Sequence, residues 1–149
     1  MAYRFRFQAL LKYREYLRTQ AQTELATAMR HYDAAQRELE RSISERDQNL
    51  SLFQEKQASG IKATEYHLFQ DYFVTLEQQL LLQRTELEVL SRDVQQAKDE
   101  LVQRERELKM LEITDTKDRS EFRRAQAKKE QLRLDERAII GNFRKAIER

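Results

Sequence analysis

The sequence predicts an all-α fold: a long antiparallel two-helix coiled-coil hairpin with a turn near Gly60 and an overhanging C-terminal helix. Three observations predict it. Apolar residues recur at alternating threes and fours through both halves of the chain, proline is absent, and a lone glycine stands where the two runs meet. A 3.5-residue repeat holds one helix face against a partner in a left-handed supercoil, so each run demands cover. Globular domains use about 5% Pro and 7% Gly to turn their corners; this chain of 149 residues has no Pro and two Gly. Its 36% charged residues and mean hydropathy of −0.90 would also suit disorder, but disordered chains lack a sustained apolar stripe.

The first helix is expected from about residue 4 to 57. Phe7, Leu10, Leu17, Ala21, Leu25, Ala28, Tyr32, Ala35, Leu39, Ile43, Leu50 and Phe53 share its seam, with Arg14 and Arg46 in phase. Two places where a step of four follows a step of four are stutters, which locally unwind a supercoil. Ala21, Ala28 and Ala35 are small enough to let a partner helix approach closely.

The turn is expected over residues 58–63. Gly60 takes the positive φ that ends a helix without a Cβ clash, and Thr64 or Ser59 is placed to cap the next helix. Folded this way, residue i faces roughly residue 120 − i. One continuous helix per chain, dimerised along its length, is the alternative, because glycine inside a helix costs only about 1 kcal/mol.

The second helix is expected from about residue 63 to 148. Its seam runs from Tyr66 to Asp115 in fifteen positions, twelve of them apolar. At 1.5 Å per residue the paired part is roughly 75–80 Å long and the overhang about 45 Å. Beyond Asp115 the seam has no partner in the first helix. Residues 113–120 (ITDTKDRS) are the expected kink or fraying point, since Thr, Asp and Ser compete for helix backbone bonds. The whole is read as one coiled-coil domain.

Charge is sorted along the chain. Residues 1–20 hold five Lys/Arg against one acid, and residues 117–149 hold eleven against six. Residues 21–116 hold twelve basic and nineteen acidic groups. A hairpin brings both positive segments to one end, which suits an acidic partner surface. Nucleic acid is one candidate for it and an anionic membrane face another; against nucleic acid, Glu121, Glu130, Asp135 and Glu136 interrupt the basic run.

Catalytic chemistry is missing from the pattern. His31 and His67 lie many turns apart in the hairpin, two isolated glycines build no phosphate loop, and adjacent carboxylates such as Asp99 and Glu100 sit on charged helix faces without a pocket to shift them. The chain is read as a non-enzyme with no cofactor and no metal. The absence of cysteine excludes a disulfide framework and fits a reducing compartment. The longest apolar stretch, residues 80–82, is far short of the ~20 residues that cross a bilayer. A soluble protein that keeps its own N-terminus is expected.

Three stretches together resemble the bacterial flagellar FliJ family, coiled-coil components of flagellar type III export. They are Phe7-Gln8-Ala9-Leu10-Leu11-Lys12-Tyr13-Arg14-Glu15 followed by Glu24-Leu25-Ala26; the aromatic-rich run from Tyr66-His67-Leu68-Phe69 to Glu77; and Phe122-Arg123-Arg124 through Lys129-Glu130 to Asp135-Glu136. The resemblance implies a stalk similar to the shaft of rotary ATPases, which engages the centre of a hexameric export ATPase. It also implies contacts with the cytoplasmic part of the export gate and with export chaperones, at the inner membrane of the flagellar base.

By the same resemblance the gate contact maps to Tyr72, Leu76, Gln79 and Gln83. Tyr72 and Gln79 fall outside the seam and are expected to face away from the first helix, whereas Leu76 lies on it and suits packing equally well. The basic end supplies the expected ring contact: Arg4, Arg6, Phe7, Arg123, Arg124, Lys128, Arg133 and Arg137. A non-flagellar type III secretion stalk, a homodimeric structural coiled coil and a basic arm for nucleic acid are the competing functions.

Overall fold

The computed structural model describes residues 2–149. Two helices account for nearly all of them: α1, Gln8–Ser59, and α2, Ala63–Glu148. No strand occurs among the described residues. The architecture is the all-helical two-helix hairpin that the periodicity predicts. Contacts group into two compact units, one of residues 19–103 and one that joins residues 2–18 to Arg104–Arg149.

The unit of residues 19–103 is a helical hairpin closed by the turn. Gly60 has φ +99 and no atom near the place where a Cβ would stand. The backbone conformation alone therefore selects glycine here. α1 stops at Ser59, whose hydroxyl donates to the Glu55 carbonyl at 3.1 Å, so this serine finishes α1 and does not cap α2. α2 starts at Ala63, with the Lys62 carbonyl accepting from the Tyr66 amide at 3.0 Å. Thr64 thus falls inside the first turn, one position past Ala63.

Next to the turn, Phe53 is buried against three rings of α2: Tyr66, Phe69 and Phe73, with centroids 5.1–5.8 Å away. Such tilted pairs each add to plain area burial. Farther along, Leu39, Leu76 and Leu80 are buried, and Leu80 is 0% exposed. Contacts between the helices centre on the expected antiparallel register: Arg46 with Glu77, Asn49 and Glu45 with Tyr72, Phe53 with Phe69.

Each stutter spreads the seam over two neighbouring positions. Leu17 and Arg18 are both half-buried where one occurs, and Ser42 is buried beside half-buried Ile43 at the other. Ser42 is invisible to a search for apolar residues, although the local unwinding that exposes two positions to one partner follows from the spacing.

The unit that joins residues 2–18 to Arg104–Arg149 departs from the expected helix. Residues 2–7 are not helical; α1 begins at Gln8 and not near residue 4. The Gln8 amide reaches the Phe5 carbonyl at 3.2 Å, and the Leu11 amide reaches that of Phe7 at 2.9 Å. Extrapolating a helical period into a non-helical strap picks the wrong residues. Phe5 and Leu11 are buried with Leu108 and Leu111, while Phe7 and Leu10 are exposed.

α2 stays helical without interruption through residues 113–120. Thr114 and Thr116 donate back to the carbonyls of Met110 and Glu112 at 2.9 and 3.0 Å, which leaves the backbone ladder intact. Asp115 and Asp118 are engaged by side chains from residues 3 and 6.

Candidate functional site

The strap of residues 2–7 is the part of the molecule where aromatic, basic and acidic side chains converge. Its aromatic residues, Tyr3, Phe5 and Phe7, alternate with Arg4 and Arg6, but only Tyr3 and Phe5 turn inward. Phe5 enters the core formed with Leu11, Leu108 and Leu111, and Tyr3 packs against the same cluster. The Tyr3 ring lies 5.5 Å from that of Phe122. Its hydroxyl donates to Asp115 Oδ1 at 2.7 Å and approaches the Asp115 carbonyl oxygen at 3.2 Å.

The surrounding charges complete this anchor. The Arg119 guanidinium covers the Tyr3 ring at 5.0 Å and pairs with Asp115 at 3.6 Å. Arg6 pairs with Asp118 at 3.3 Å while its guanidinium covers the Phe7 ring at 4.8 Å. Arg14, a seam position, donates to the Glu107 carbonyl at 2.8 Å. A long cation at a core position is tolerated because its stem packs and its head finds a backbone acceptor.

Burial of the Tyr3 hydroxyl and its hydrogen bond to Asp115 push its pKa up to about 12. The charges of Asp115 and Asp118 add to this, and Arg119 opposes it. Tyr72 is raised as well, first by burial and then by its hydrogen bond to Glu45, with the Asn49 bond acting the other way.

The expectation that nothing in the chain covers α2 beyond Asp115 is corrected by two contacts. Arg6 reaches Asp118 and Tyr3 reaches Phe122, because the chain before Gln8 is not helical and spans more length per residue than a helix would. From residue 123 onward nearly every side chain is exposed. Arg123, Arg124, Lys128, Arg133 and Arg137 all lie in this exposed stretch, and Arg133 meets Glu130 at 3.7 Å. They do not form one stripe. At 100° per residue Arg123, Arg133 and Arg137 share one side and Arg124 and Lys128 another. Arg4 and Phe7 are exposed on the strap.

The four positions on early α2 separate. Leu76 is buried, Gln79 is exposed, and Tyr72 and Gln83 are half-buried. Tyr72 does not face away from α1 as expected. Its ring edges the seam, its hydroxyl donates to Glu45 at 3.1 Å, and Asn49 donates to it at 2.9 Å. A phenol is long enough to reach across from a flanking position. Gln83 Oε1 is buried without a partner.

Among the described residues no group of three or more His, Cys, Asp or Glu is arranged to hold a metal ion. None of the helices is long and apolar enough to cross a membrane.

The family model described as Flagellar FliJ protein matches residues 3–146, nearly the whole chain. The chain belongs to the FliJ family. Neither a curated protein nor a solved structure gives a significant match. Membership gives the chain a role connected with flagellar protein export, as a non-enzymatic structural or escort component of helical fold.

Proposed function

We propose that this FliJ-family chain is a stalk-like component of flagellar type III export that binds the centre of the hexameric export ATPase. It also links that ring to the export gate and to substrate chaperones, at the cytoplasmic side of the inner membrane. The observation that carries this reading is the arrangement of the terminal unit. The strap is locked onto α2 up to Phe122, and the helix after it is exposed and rich in cations. A ring pore lined by acidic or polar loops is the complementary surface for such a segment.

In this reading Arg4, Arg6, Phe7, Arg123, Arg124, Lys128, Arg133 and Arg137 meet the ring. Because the basic groups occupy more than one side of α2, the contact surrounds the helix, as a pore does. The gate contact falls to exposed Gln79 and the accessible edges of Tyr72 and Gln83, with Leu76 supporting them from the packed seam. Pull-down of the export ATPase by a variant with Arg123, Arg124 and Arg133 reversed to Glu tests the ring contact. Loss of binding supports it, and undiminished binding refutes it.

A further inference from the structure

Residues 74–89 of α2 carry two apolar faces. One, with Leu76, Leu80 and Leu87, packs under α1. The other, Val74, Leu81, Leu82 and Val89, is 49–71% exposed. The leucine run of residues 80–82 serves both faces at once. A seam needs only one leucine per turn, so the outward pair has no role in the hairpin.

A second stripe of the same spacing lies near the C-terminus. Leu132, Ile139, Ile140 and Ile147 are 54–69% exposed and repeat the intervals of 7, 1 and 7 residues found in Val74, Leu81, Leu82 and Val89. Each set spans an arc of about 100° on its helix. Phe143 adds a fifth apolar residue to the second stripe, where Thr85 stands in the first.

The edges of the stripes carry opposite net charge. Glu77 and Glu88 follow one edge of the first, where Arg84 also stands, with Asp71 and Glu86 toward the other. Arg133, Arg137 and Arg144 follow one edge of the second, Lys128 and Asp135 stand on the other, and Glu136 interrupts the stripe between Leu132 and Ile139. In parallel helices opposite edges meet. Placing Val74 level with Leu132 sets Glu77 between Arg133 and Arg137, Arg144 between Arg84 and Glu88, Asp71 beside Lys128, and Glu136 opposite Gln78. Glu77 already pairs with Arg46 at 3.3 Å, leaving Glu88 as the cleaner partner. An antiparallel pairing brings Glu88 toward Asp135 instead.

We propose that the acidic-edged stripe of residues 74–89 on one copy of the chain receives the basic-edged stripe of residues 132–147 of a second copy, in parallel and with a stagger of 58 residues. The contact is about 22 Å long. It belongs with interfaces below about 1,200 Å², so assembly depends on concentration. A parallel stagger cannot be reciprocal: each pair of copies leaves one stripe of each kind open, and assembly continues by head-to-tail addition. This proposal stands apart from the reading of the ring contact, although Arg133 and Arg137 serve both. A chain bound to another copy would have those cations occupied.

Sedimentation velocity of the full chain over a roughly hundredfold concentration range reads the assembly. The expected result is a wild-type sedimentation coefficient that climbs beyond the dimer. Leu81→Glu with Leu82→Glu, and separately Ile139→Glu with Ile140→Glu, remain monomeric with unchanged helicity by circular dichroism. Mixing these two double variants restores a capped heterodimer and nothing larger, because each retains the stripe that the other lacks. Glu88→Arg alone weakens assembly about tenfold, and adding Arg144→Glu to the same chain recovers it; one tenfold step is about 1.4 kcal/mol. A monomeric wild type, or assembly that survives either double variant, overturns the proposal. So does a mixture that forms no heterodimer, or a charge swap that recovers nothing.

Discussion

Tyr3 donates its hydroxyl proton to Asp115 at 2.7 Å across 112 residues of sequence. That bond joins the first anchored residue of the strap to a position on α2 where the sequence pattern expects the cover to end. Arg119 holds both partners, pairing with the carboxylate and covering the ring.

The Tyr3 bond makes stability fall at alkaline pH. A folded pKa raised to about 12, against an ordinary 10, means that its contribution is fully present below pH 10 and is lost as pH rises toward 12. Tyr3→Phe removes this loss. Thermal melts between about pH 9 and 12 should converge for the two proteins at the upper end. An absorbance titration should show one fewer late-ionising phenol in the variant.

Removing the acceptor frees the strap. Asp115→Ala deletes the partner of both Tyr3 and Arg119, and local opening rises while the rest of the molecule stays folded. Tryptic cleavage after Arg4 and Arg6 should accelerate severalfold, with unchanged helicity by circular dichroism.

Leu80 and Leu81 are neighbours with opposite fates. Leu80→Ala empties a fully buried site and should cost about 2–5 kcal/mol. Leu81→Ala touches an exposed side chain and should stay within about 0.5 kcal/mol. Urea denaturation of the two variants checks the contrast.

The two glycines should respond in opposite directions to alanine. Gly60→Ala is strained at φ +99 although its surroundings are open, and should destabilise by about 1 kcal/mol or more. Gly141→Ala lies inside α2 with nothing near the added Cβ, and should stabilise by about 0.5–1 kcal/mol. Thermal denaturation reads both signs.

The α2 seam was legible because one physical cause, burial of one face, acts at every turn. From Phe69 to Asp115 all of its positions are buried or half-buried. The turn was legible because only glycine accepts the backbone conformation at residue 60. The strap was not. Residues 2–7 have no helical period, so nothing local separates Phe5, which is buried, from Phe7, which is exposed. The anchoring of Asp115 and Asp118 was equally hidden, since polar residues in core phase read as the end of a seam until the residues that satisfy them are known. Tyr72 was misplaced because period alone ignores how far a phenol reaches.

The measurement that bears most directly on the role in export is ATP turnover by the export ATPase with and without this chain. Turnover should rise when the wild-type chain is added and show no gain with the variant reversed at Arg123, Arg124 and Arg133. Turnover that ignores the wild-type chain, or that rises equally with the reversed variant, would contradict that role.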